Sequence, residues 1–158
     1  MTDKLHQMNI TYVPREDRLL LRISTQLGDE FRIWLTRRFT GLLSGVLNKY
    51  MDKSGGAPTV ASSEETKKLF KEGAMEKKYE DGDKNFPLGE AGILAFKINA
   101  GNTEDGNLQL EIAPEEGKGI TVNLNDSLMY MFSNLLTQGV EQAGWNISNQ
   151  NSASMKVH

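Results

Sequence analysis

Catalysis, metal binding and nucleophilic attack each draw on a short list of side chains, and this 158-residue chain is poor in them. It has no Cys, which excludes a thiol nucleophile, a thiolate zinc site, an iron–sulfur cluster and a disulfide scaffold. Its two histidines, His6 and His158, lie near the chain ends, where general-base work or metal ligation would lack a rigid frame. Asp81, Asp83 and Asn85 begin like a calcium loop. The sixth position of that loop is Phe86 where the turn needs Gly, and the twelfth is Gly92 where a bidentate carboxylate is needed. Gly117-Lys118-Gly119 lacks the upstream Gly and following Ser or Thr of a phosphate loop, and reads as a hairpin turn. Glu115 and Glu116 are paired carboxylates in that same wet turn, where nothing would raise a pKa. Asn9 and Asn146 head glycosylation sequons that need a secretion signal to matter. The chain is therefore expected to be no enzyme, with no catalytic residue, no metal and no cofactor.

What remains is binding, and composition sets its terms. The 18 Lys and Arg stand against 21 Asp and Glu, with 38% apolar residues, as in one ordinary soluble domain long enough to bury a core. No apolar run approaches the roughly 18 residues that span a bilayer. Met1 to Met8 has no apolar segment of the signal-peptide kind, so a cytoplasmic protein without a membrane partner is expected.

The elements follow from an internal repeat. At an offset of 89 residues, Leu19–Leu47 lies over Leu108–Leu136 without a gap, with apolar pairs such as Leu19/Leu108, Leu21/Leu110, Ile23/Ile112, Leu35/Leu124, Leu43/Phe132 and Leu47/Leu136. Gly28 falls on Gly117. Within each copy an alternation of period 2 gives way to helical spacing: Leu19, Leu21, Ile23 and Phe31, Ile33, Leu35 mark two strands, then Phe39, Leu42, Leu43, Val46, Leu47 and Tyr50 mark a helix stripe. In the second copy Leu128, Met131, Phe132, Leu135 and Leu136 are the inward helix positions. One further strand precedes each copy, Met8–Val13 and Ile93–Ala100, the latter with Leu94, Phe96 and Ile98 inward. The expected fold is α+β: two tandem strand-strand-strand-helix (βββα) repeats, 8–53 and 91–145, packed as one pseudo-symmetric domain of antiparallel sheets and helices. Residues 54–90 form a connector with a short charged helix from the Ser62-Ser-Glu-Glu65 capping pattern, and 146–158 a disordered tail, all within a single domain 1–158.

The copies differ on the face turned away from the core. Leu20 and Trp34 lie over Gln109 and Asn123, and Arg18, Arg22 and Arg32 stand beside them. All six arginines fall between Arg15 and Arg38; residues 1–53 carry 9 basic and 6 acidic side chains, residues 91–158 carry 3 and 7. Arg37 and Arg38 follow the N-cap Thr36, at the helix end where cations are unfavourable by roughly 0.3–1 kcal/mol each. An acidic partner would account for them. Arg18, Leu20, Arg22, Arg32, Trp34, Arg37 and Arg38 are thus the candidate partner-binding residues. In the competing reading, Trp34 and Leu20 are covered by the connector helix near Leu69 and Phe70, and the arginines merely solvate the surface.

Tandem units of antiparallel strands followed by a helix, with a Gly-containing hairpin leading into an apolar strand (Gly117-Lys-Gly-Ile-Thr-Val-Asn-Leu124) and an amphipathic helix (Ser127 to Leu136), resemble the Pur-alpha repeats and the Whirly single-strand-binding proteins. The likeness is topological, covers about two thirds of the chain, and implies sheet-surface binding of single-stranded nucleic acid. From the residues themselves, an Arg-flanked Trp and Leu on a polar sheet face is the composition of an interface hot spot. The first expectation is a non-catalytic protein-interaction or self-association module whose partner is an acidic protein surface or a second copy; the alternative is a single-stranded nucleic-acid-binding protein.

Overall fold

The computed structural model describes residues 5–71, 79, 82 and 84–146. It is α+β, with two sheets and four helices among these residues. The first sheet begins with strands β1 (Leu5–Val13), β2 (Arg18–Thr25) and β3 (Glu30–Leu35), each antiparallel to the next. The strand periodicity places Leu19, Leu21, Ile23, Ile33 and Leu35 on one face, where all are buried. The β2–β3 turn passes through Gly28 at φ +94° and is tied by the Asp29 N–H donating to Thr25 Oγ1 at 3.1 Å.

Helix α1 (Arg37–Asp52) follows at once, its N-cap Thr36 accepting from the Phe39 N–H at 3.1 Å. Its buried side is Phe39, Thr40, Leu43, Leu47 and Met51. Two short helices come next, α2 (Ala57–Ala61) and α3 (Glu64–Lys71). The latter begins where the capping pattern places it: Ser63 Oγ accepts from the Thr66 N–H. The rest of the expected connector helix, the side chains of Leu69 and Phe70, and the tail beyond Asn146 lie outside the described residues.

The second sheet is β5 (Lys97–Asn102), β6 (Leu108–Ala113) and β7 (Ile120–Leu124), antiparallel throughout. Asn125 caps helix α4 (Asp126–Ala143) by accepting from the Leu128 N–H at 2.9 Å, and Gly144 closes the helix in the left-handed region. The caps Thr36 and Asn125 stand 89 residues apart, as do the positive-φ turn glycines Gly28 and Gly117.

Two expectations are corrected. Ile93–Ala100 is not one strand. Ile93–Leu94 forms a separate strand, β4, that runs parallel to β3, with Ile33 beside Ile93 and Trp34 beside Leu94. The chain then changes sheets within two residues: the Ala95 N–H donates to Trp34 O, and the Phe96 N–H donates to Ala113 O, each at 2.9 Å. Ala95 turns inward and is buried, while Leu94 and Phe96, read from the alternation as core, are 39% and 52% exposed.

The inward side of α4 is also broader than one stripe. Ser127, Met129 and Gly139 are buried with Met131, Phe132 and Leu136, whereas Leu128 and Leu135 are half-buried. The reason is that α4 is enclosed by several elements, touching β1, α1, α2 and α3. A Cβ at Gly139 would stand 3.0 Å from Ile10 and 3.1 Å from Leu19, so the helix of the second half lies directly on strands of the first. One hydrophobic cluster joins both sheets and both long helices. No helix among the described residues is long and apolar enough to cross a membrane.

Candidate functional site on the outer face of the first sheet

Alternation leaves the opposite face of β2 and β3 to Arg18, Leu20, Arg22, Glu30, Arg32 and Trp34. Cross-strand register arranges them in rows: Thr11, Leu20, Trp34 and Leu94 in one, Asn9, Arg22 and Arg32 in the next, with Ser24 beside Glu30 beyond. Two arginines directly opposite each other repel unless each has its own partners. Arg22 donates to Asn9 Oδ1 at 3.2 Å and lays its guanidinium over the Tyr79 ring, 4.2 Å from the centroid. Arg32 donates Nε–H to Glu30 Oε2 at 2.6 Å and Nη1–H to the Glu90 carbonyl at 2.9 Å, and stacks on Phe86 at 4.6 Å.

Asn9 and Glu30 belong to the sheet itself; Tyr79, Phe86 and Glu90 come from the segment that leads to β4. That segment meets the open edge of β3 at both ends: Asn85 bridges to Asp29, its carbonyl accepts the Glu30 N–H at 2.8 Å, and β4 pairs with the far end. Gly92 lets the chain return to the sheet. Its φ is +82°, and a Cβ there would stand 2.7 Å from Arg32 O.

At the centre is a carboxylate that composition gave no reason to single out. Glu30 is 2% exposed. Besides Arg32, it accepts from the Tyr79 hydroxyl at 2.8 Å and has Lys84 Nζ at 3.6 Å. Burial alone would raise its pKa, but the hydrogen bonds from Arg32 and then Tyr79, with the charges of Arg32 and Arg22, outweigh it and hold the group below its ordinary 4.5. Tyr79 moves the other way. Burial first, then its bond to Glu30, pushes the phenol well above its ordinary 10.0. Sequence reading anticipated no such buried, hydrogen-bonded ionisable pair. Both shifts run away from neutrality, so Glu30 is a poor proton acceptor and Tyr79 a poor donor near pH 7, and the pair fits a clamp better than acid–base chemistry.

A pH and mutation test follows from the signs. Because the folded pKa of Glu30 is lowered, its contribution is present above pH 4.5 and lost as pH falls through the folded value. Tyr79→Phe is expected to cost about 1.5–3 kcal/mol at neutral pH, the range for a hydrogen bond to a charged group. Urea denaturation at neutral pH and at progressively lower pH is the measurement, and the cost should shrink as Glu30 protonates.

The structure places the candidate residues in two groups. Arg18, Leu20, Arg22, Arg32 and Trp34 share the outer face, all half-buried, and the Trp34 indole N–H donates to the Ala91 carbonyl at 2.9 Å. Arg37 and Arg38 are exposed on α1, off that face; Arg37 donates to the Asn146 carbonyl at 3.4 Å, toward the end of α4. Glu30, Tyr79, Lys84 and Phe86 belong to the cluster and were missed. Glu30 has the same strand parity as Arg32 and Trp34, which is a signal that could have found it. Tyr79 lies 49 residues from Glu30, and no local pattern links the two. Leu94 extends the apolar row but was assigned to the core.

Among the described residues no three His, Asp or Glu side chains come together as a metal ion would require. Comparison with protein-family models, curated proteins and solved structures finds no match to this chain.

Proposed function

We propose that the protein is a non-catalytic module for protein interaction or self-association, and that it docks through the outer face of the first sheet. The observation that carries this reading is the apolar row Leu20, Trp34 and Leu94, which rises in exposure to 39% at Leu94. An exposed Leu94 beside half-buried Trp34 and Leu20, with Arg18 next to Leu20 along β2, has the anatomy of an interface core with a charged rim. Arg22 and Arg32 serve the clamp under the connector, so the docking residues of this reading are Arg18, Leu20, Trp34 and Leu94, with Arg37 and Arg38 contributing positive charge from α1.

The same proposal takes the two halves as copies of one ancestral unit. The matching caps, turn glycines and core positions 89 residues apart support duplication, and the basic outer face is then what the first copy acquired. The Pur-alpha and Whirly likeness enters only as the competing reading, in which Trp34 stacks bases.

Backbone amide NMR separates these readings. Three titrations are compared: the protein against itself, an acidic peptide of Glu and Leu, and a mixed-sequence single-stranded oligonucleotide. Shifts centred on Leu20, Trp34 and Leu94 with either protein probe, reduced at least tenfold in affinity by Leu94→Asp while stability stays within about 0.5 kcal/mol, are the expected result. Shifts there with the oligonucleotide alone, weakening linearly in log salt, would replace it with nucleic-acid binding. No shift on this face with any probe ends the proposal.

A further inference from the structure

A second surface carries an independent inference. Strand β5 is the outer member of its sheet, paired with β6 on one side only. No hydrogen bond among the described residues reaches its backbone from the other side. An open edge of this kind presents alternate N–H and C=O groups to any strand that matches it, and proteins usually blunt it with charge, Pro or a covering element. Here Lys97, Asn99, Ala100 and Asn102 are exposed, and Lys97 is the only charged residue in the strand.

The charges at the two ends of this edge are opposite. Lys97 opens β5, while Glu104 and Asp105 occupy the turn just beyond its last residue; all three are exposed and make no ion pair among the described residues. A parallel neighbour of the same sequence would set Lys97 against Lys97 and the carboxylates against each other. An antiparallel neighbour related by a twofold axis near Ala100 and Gly101 brings Lys97 of each copy beside Glu104 and Asp105 of the other. The small residues fall at the axis, where each side chain meets its own symmetry mate or neighbour and no bulk has to be accommodated. With the axis perpendicular to the sheet, the buried faces of both copies stay on one side, and Phe96 adds an exposed apolar ring at each end of the pair.

We infer that β5 is a self-pairing edge and that its occupant is β5 of a second copy, giving an isologous dimer with one sheet running through both molecules. This uses a different surface from the Leu20 and Trp34 row and stands or falls separately from it.

The test is sedimentation velocity over a concentration series, with hydrogen–deuterium exchange at the dilute and concentrated ends. Wild type is expected to dimerise with added protection confined to residues 97–102. Lys97→Glu places like charges at both symmetry-related ends and is expected to weaken the dimer about tenfold, at roughly 0.7 kcal/mol per contact. The Glu104→Lys/Asp105→Lys double variant should weaken it similarly, and the triple variant that swaps all three charges should restore it. All three positions are exposed, and circular dichroism confirms that each variant is folded. A monomer throughout the series would overturn the inference. So would a dimer indifferent to the single variant, a triple variant that fails to recover, or protection located on the Trp34 face instead of β5.

Discussion

Glu30→Ala is expected to destabilise the protein by about 3–5 kcal/mol, the range for breaking a buried charge pair from one side. The size follows from what is left behind. Arg32 loses its 2.6 Å partner while still held between Phe86 and the Glu90 carbonyl, Lys84 loses its ion pair with Glu30, and the Tyr79 hydroxyl loses its carboxylate acceptor at 8% exposure. Arg22 and Arg32, opposite each other on β2 and β3, then lose the charge of Glu30 from that face. Glu30→Gln retains an acceptor for Tyr79 but not the charge, and should recover part of the loss. Urea denaturation of both variants measures it. A loss of under about 1 kcal/mol for Glu30→Ala would mean that Tyr79 and Lys84 are not held on the sheet by this carboxylate.

The second large effect is expected at Gly92. Gly92→Ala combines two costs: about 1–2 kcal/mol for an L residue at φ +82°, and about 1–3 kcal/mol for a Cβ placed 2.7 Å from Arg32 O and 2.9 Å from Arg32 Cβ. A sum near 3 kcal/mol is expected, because the neighbour is strand backbone and cannot swing aside. Gly89 is the internal control. Its φ is +95° but a Cβ would meet nothing within 4 Å, so Gly89→Ala carries only the conformational part. Equal losses at the two positions would show that the close approach to β3 has no energetic weight.

Sequence patterning located most of the elements because each half states its period clearly. Leu19, Leu21 and Ile23 alternate, Phe39, Leu43 and Leu47 recur at helical spacing, and the change of period at Thr36 and Asn125 coincides with two side-chain caps. The sheet change at 94–97 was not legible for a physical reason. Leu94, Phe96 and Ile98 keep a perfect alternation through it, and the residue that faces the core, Ala95, is too small to mark a period. The candidate face was legible as composition: Leu20 and Trp34 are neighbours in register, and Arg22 and Arg32 likewise. What composition could not supply was the chain that lies on it. Tyr79 and Phe86 are isolated aromatics in a polar stretch, and their assignment depends on long-range contacts with Arg22 and Arg32. Nor does the strength of a positive cluster say whether it faces outward or is already neutralised by a carboxylate of its own strand.

The passage of residues 85–97 from one sheet to the other also sets the order in which the molecule can be completed. As the chain emerges from the ribosome, β1 to β3 and α1 can collapse early, but the outer edge of β3 stays bare until Asn85, Ile93 and Leu94 have been made. Ile10 and Leu19 wait longer still for Gly139 of α4. Residues 5–52 therefore expose a strand edge and an apolar sheet face until α4 has been made, a window in which they are open to misassembly or to a chaperone. Once the last helix docks, the interdependence works in the opposite direction. Both sheets share one hydrophobic cluster, so a single cooperative unfolding transition is expected.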